Sequence, residues 1–206
     1  MALRFLGRTF ISLGALILLF LVYQLVGTNF VTSREQSALA SELEEKWSTG
    51  IDESVPDPGD AYALMQIPKI DLDVAVVEGV SVADLKKGPG HYPGSAVPGG
   101  LGNFVVSGHR TTYGGPFYDL DQMEPGDEIT VIDRQQTVHK YVVSETKIVL
   151  PTEVGVIART DDARLTLTTC HPRFSARQRL IVVAELVGTP GDLQQTDPTD
   201  GEIVDS

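Results

Sequence analysis

Residue 170 is the only cysteine in this 206-residue chain, so thiol chemistry here has a single possible nucleophile. It ends the run Leu165-Thr166-Leu167-Thr168-Thr169-Cys170 and is followed at once by His171-Pro172. A thiol attacks as its thiolate, which calls for a base or a cation close by. Four histidines could serve. His171 adjoins Cys170, and adjacent side chains of an extended chain point to opposite faces, which makes it a poor partner. His139 falls inside a strand-like run and His91 in a turn rich in Gly and Pro. His109 closes the apolar run Phe104-Val105-Val106-Ser107-Gly108, a strand-end placement that mirrors Cys170. Arg173, Arg177 and Arg179 lie shortly downstream, and a guanidinium can steady a thiolate or an oxyanion.

The elements that must carry these residues read as β-strands. Runs rich in Val, Ile, Thr and Tyr occupy residues 63–67, 72–77, 103–107, 128–133, 138–149, 164–169 and 179–186. Gly and Pro clusters at 88–94 and 98–102 punctuate them, and short helices fit only 80–86 and 117–122. Seven or eight short strands in a core of this size predict an all-β domain, a closed barrel or a sandwich.

Outside that core the composition changes. Residues 1–9 carry Arg4 and Arg8 and no acid, and residues 10–26 are uncharged and largely apolar. The run sits at the lower edge of a membrane-crossing length. The one small-residue motif suited to signal cleavage, Ala38-Leu39-Ala40, lies too far downstream, so an uncleaved signal-anchor is expected. Basic residues before the span place the N-terminus in the cytoplasm and the rest of the chain outside. An unpaired thiol in that oxidising setting is a hazard unless it is used. Residues 27–60 then read as a stalk and linker, with two basic residues against eight acidic ones. Residues 188–206 hold five acids and no base and are expected to be disordered. The formal charge of −12 sits mostly in these two segments, and it argues against a nucleic-acid partner.

Three ordered motifs now carry a resemblance: Gly108-His109-Arg110, Thr166–Cys170 as TLTTC, and Arg179 opening the apolar run to Leu186. Together, with about sixty residues between His109 and Cys170, they resemble the sortases over residues 61–187. The stretches 88–110 and 111–120, and Cys170-His171-Pro172, are most similar to class E. The resemblance implies an eight-stranded closed β-barrel with short helices, preceded by a transmembrane helix. It implies a cysteine transpeptidase whose nucleophile is Cys170, whose proton donor and acceptor is His109, and whose Arg179 steadies substrate and oxyanion. Arg177, two positions earlier, is the alternative arginine. Tyr92, in His91-Tyr92-Pro93, matches a position tied to preference for a Leu-Ala-X-Thr-Gly signal over Leu-Pro-X-Thr-Gly, and Thr168 and Thr169 are expected substrate contacts. The implied partners are surface proteins bearing such a signal, a peptidoglycan precursor amine as acceptor, and membrane lipid around residues 10–26. No cofactor or metal enters the scheme. Within the family the alternative is a pilin-polymerising enzyme, whose lid motif Asp57-Pro58-Gly59 partly echoes. Outside enzymes, the alternative is an anchored binding module with an inert thiol.

Overall fold

The structure, a computed structural model, describes the backbone of residues 2–49 and 56–188 and the side chains of 4–20, 32–49 and 56–188. The expected tail from residue 189 onward lies outside the described residues. So do 50–55 of the linker and the side chains of 21–26 of the expected span. Strand-forming runs take the positions that their β-branched content dictates. They are β1 (Ala61–Ile67), β2 (Leu72–Glu78), β3 (Gly90–His91), β4 (Gly102–Ser107), β5 (Glu128–Ile132), β6 (Val138–Val149), β7 (Ala163–His171) and β8 (Gln178–Leu186). Helices α1 (Ala2–Thr49) and α2 (Val82–Lys87) precede β1 and follow β2. Ser81 starts α2 with a reciprocal capping box: its hydroxyl accepts from the Asp84 N–H, and Asp84 accepts from the Ser81 N–H.

Among the described residues the eight strands close into one barrel in the order β1-β2-β3-β4-β7-β8-β6-β5. Six of the eight neighbouring pairs are antiparallel; β2 with β3 and β4 with β7 run parallel. The barrel interior is filled by Phe104 and Val106 of β4, Leu165 and Leu167 of β7, and Leu180 and Val182 of β8, with Phe117 and Leu120 from the loop after β4. Alternation then turns Ser107, Thr166, Thr168, Cys170, Arg179 and Ile181 to the outer face of the same three strands. Closure leaves no free edge strand and fixes where the ends of β4, β7 and β8 stand relative to one another.

Sequence composition predicts a stalk and linker over 27–60, and the second half of α1, which falls there, packs on the barrel. Leu39 and Leu43 are buried against Ala61 of β1 and Ala75 and Val77 of β2, with Trp47 alongside. The Gln36 amide donates to the carbonyls of Ala75 and Lys87 and accepts from the Ala75 N–H at 2.8 Å. Trp47 Nε1 donates to the Asp133 carbonyl at 3.3 Å. The turn at Asp57–Gly59 is fixed too, through Gly59 N–H to Glu78 and Lys87 Nζ to Gly59. At the other end of α1, Phe5, Phe10, Ile11, Leu16 and Phe20 are exposed. No helix among the described residues is long and apolar enough to cross a membrane.

Candidate active site

β4 and β7 run parallel with Ser107 level with Thr168. Past that pair the two chains stay joined: the Gly108 N–H donates to the Thr168 carbonyl at 3.1 Å, and the Thr169 hydroxyl donates to the Gly108 carbonyl at 2.8 Å. Carrying the register on by two residues sets His109 beside Cys170. Gly108 explains why His109 turns outward. A Cβ at Gly108 would meet the buried Phe117 ring at 2.5 Å, so position 108 faces the core and its neighbour faces away. On the other side of β7, Cys170 pairs directly with Arg179 of β8. Opposed residues of an antiparallel pair share a face, so thiol and guanidinium occupy one patch of outer surface.

The three arginines proposed by sequence part company here. Arg173 is committed elsewhere: its guanidinium donates to Asp119, Asp121 and the Tyr118 carbonyl and lies over the Tyr118 ring at 4.3 Å. Arg177 is exposed in the loop between β7 and β8. Arg179 donates from one terminal nitrogen to the carbonyls of Ala176 and Gln178, at 2.9 and 3.0 Å, and so is held in place opposite Cys170.

His109 has the features of a proton carrier. Its Nε2 is buried and without a hydrogen-bond partner, and its ring lies 5.2 Å from that of Tyr113. Burial without a compensating anion pushes its pKa below the ordinary 6.5, so the ring is neutral at pH 7 and can accept a proton. His171 is engaged differently, with its Nδ1 3.1 Å from an Arg110 terminal nitrogen. His139 pairs with Asp133 at 2.8 Å, and His91 with Glu78 at 2.6 Å.

Arg110 is a site residue that sequence reasoning passed over, although it stands in the same Gly108–Arg110 motif. It is 2 % exposed, pairs with Asp121 at 2.8 Å, and donates to the carbonyls of Tyr118 and Cys170. One buried cation thus ties the loop after His109 to the strand end that bears the thiol. A buried charge is stable only when so surrounded. The signal available in sequence was an Arg directly following the candidate base; its inward direction was not readable.

Thr168 shares the outer face with Cys170. Thr169 points inward, 3 % exposed, and its hydroxyl is spent on Gly108. Tyr92 lies in the turn after β3, 40 % exposed, where it lines a cavity of about 190 Å³ together with Ala96, Leu101, Asn103, Ile157 and Arg159. That cavity sits at the start of β4, on the strand whose far end leads to His109. Another cavity, about 640 Å³, is lined by α1, β2 and the 113–119 loop. Cys170 itself is half-buried at the end of β7. Among the described residues no cluster of three or more His, Cys, Asp or Glu could hold a metal.

The Sortase domain family model matches residues 65–187. Sortase SrtE1 of Streptomyces coelicolor is 35% identical, over 89% of this chain; the chain spans only 57% of that relative's length. A solved structure of sortase E1 from the same organism, with a tripeptide in its active site, is 32% identical and superimposes with a TM-score of 0.58, covering 65% of this chain and 92% of that one. The sortase D5 transpeptidase of Clostridium perfringens superimposes with a TM-score of 0.66 at 29% identity, covering 77% and 99%.

Proposed function

Given that this chain belongs to the sortase family, we propose that it is a membrane-anchored cysteine transpeptidase that cuts the Thr–Gly bond of a C-terminal sorting signal and joins the protein to an amine of the cell wall. What supports the reading is the pairing of Cys170 with Arg179 across β7 and β8, and the position of His109 two residues beyond Ser107, which is level with Thr168.

Each group has one task. An amide carbonyl is a poor electrophile, and attack by Cys170 Sγ divides its cleavage into two easier transfers through a thioester. His109 takes the thiol proton and returns it to the departing glycine nitrogen as the C–N bond breaks. Arg179 donates to the oxyanion of each tetrahedral intermediate while keeping its own charge. In the second half the acceptor amine attacks the thioester carbonyl, loses its proton to His109, and Cys170 leaves. Thr169 and Arg110 serve by holding the two strand ends in register. Thr168 and the outer face of β4 and β7 form the floor under the peptide. With the scissile Thr at Cys170, an extended signal of four residues reaches roughly 10 Å back along β7, toward the cavity lined by Tyr92. Tyr92 is then taken to read the early residues of a Leu-Ala-X-Thr-Gly or Leu-Pro-X-Thr-Gly signal.

The anchor belongs to the same proposal. Arg4 and Arg8 before an uncharged run, and the exposed apolar side chains of α1 up to Phe20, support a single span over 10–26 with the barrel outside. Incubation of the protein with both signal peptides and an oligoglycine amine, followed by mass spectrometry, tests the activity. Joined product is expected, more of it from the Ala-containing signal, and intact peptides throughout would refute the reading. Protease added to protoplasts tests the topology; a protected barrel would refute the anchor.

A further inference from the structure

Behind the Tyr92 turn lies a buried chain of polar groups that the chemistry above does not use. Glu78, at the end of β2, and His91, at the end of β3, are 6 % and 5 % exposed. Glu78 Oε2 is 2.6 Å from His91 Nδ1, and His91 Nε2 is 2.9 Å from the Ser95 hydroxyl. Ser95 Oγ also accepts the Val105 N–H at 3.2 Å, which ties the chain to the middle of β4. His91 Nε2 also lies 3.2 Å from the Ala96 carbonyl, so the ring bridges Glu78 on one side and Ser95 and Ala96 on the other. The imidazole is also fixed by stacking, 4.2 Å from the Tyr62 ring, with Phe104 at 5.4 Å.

These groups support one short piece of backbone. The Tyr92 N–H donates to the Val105 carbonyl and the Ser95 N–H to the Tyr92 carbonyl, closing a turn with Gly94 at φ +82°. Gly94 and Ser95 line the Tyr92 cavity. They also line a second cavity of about 380 Å³, with Tyr62, Glu78, His91 and Arg134. The turn is thus a wall of both cavities. The buried hydrogen-bonded network fastens it to β2 and β4, and a half-satisfied network would leave desolvated polar groups.

We propose that Glu78, His91 and Ser95 are positioning residues for substrate: they set the wall that carries Tyr92, and hence the affinity for the sorting signal, and leave the acyl-transfer step at Cys170 untouched. The inference rests on the transpeptidase reading above. It is tested by measuring kcat and KM separately for Ser95→Ala, Glu78→Gln and Glu78→Ala in the full chain, with thermal unfolding alongside. Ser95→Ala removes one hydroxyl, which leaves the Val105 N–H without its acceptor and His91 Nε2 with the Ala96 carbonyl alone. We expect KM to rise about 5-fold or more with kcat within about 2-fold of wild type, the pattern of lost uniform binding. Glu78→Gln, which keeps a partner for Nδ1, should raise KM less than Glu78→Ala. If Glu78→Ala fails to fold, Ser95→Ala decides the matter. An unchanged KM in folded Ser95→Ala, or a kcat that falls while KM holds, would overturn the proposal. Failure of the transpeptidase reading itself is distinguishable, since the wild-type chain would then turn over no signal peptide at all.

Discussion

At the scale of single residues, the proposed chemistry rests on two groups, His109 and Arg179. His109 is neutral at pH 7 because its ring is half in the protein with no anion beside it. As a base it must be unprotonated, so the acid limb of kcat/KM should fall below pH 6.5 and not at it. The sign for stability agrees: protonating His109 costs the fold, so stability is full above 6.5 and declines as pH drops toward the lowered value. His109→Ala should lose about 10²–10⁴-fold in kcat, the usual worth of general acid–base help, and should lose that acid limb too. A retained limb in His109→Ala would assign it to another group. Arg179→Ala should cost about 10²–10³-fold, as one oxyanion donor does. Arg177→Ala, in an exposed loop position, should stay within about 3-fold, and the reverse order would exchange their roles.

At the scale of elements, the site is made by where strands end. Gly108 shows how narrow the tolerance is. Its missing Cβ is the space that the Phe117 ring occupies, at 2.5 Å, and Phe117 is fully buried. Gly108→Ala must displace a core ring or the strand end, and either moves His109. We expect kcat to drop by at least about 10-fold, as misplacement of a catalytic group by an ångström does. A wild-type kcat would mean that the strand end adjusts freely. Strand positions were largely legible in sequence, because β-branched alternation is a local property: the run expected at 164–169 is β7, and that at 179–186 is β8. Pairing was not legible. Nothing local says that β4 lies parallel to β7, yet that pairing sets Ser107, two residues before His109, level with Thr168, two before Cys170. Two-residue β3 was also missed, being too short to show alternation. Arg110 and the Glu78–His91 pair were hidden for a related reason, since charged residues read as exposed until the fold supplies partners.

For the molecule as a whole, the barrel and the helix that leads to it form one packed unit through residues 36–47. Composition reads 27–60 as a stalk and linker; within it the face bearing Leu39, Leu43 and Trp47 covers β1 and β2. Leu43→Ala should destabilise the barrel by about 2–5 kcal/mol, the range for emptying a buried leucine site. Denaturant unfolding of soluble protein beginning near residue 32 measures it, and a loss under about 0.5 kcal/mol would mean that the helix does not dock in solution. The central claim, that one thiol carries the acyl group between two amines, is tested most directly by intact mass. Wild-type protein mixed with signal peptide and no acceptor amine should gain the peptide through its Thr on Cys170, and hydroxylamine should release it. Cys170→Ala should show neither the adduct nor cleavage. Cleavage that proceeds with Cys170 unmodified, or that survives in Cys170→Ala, would contradict the account.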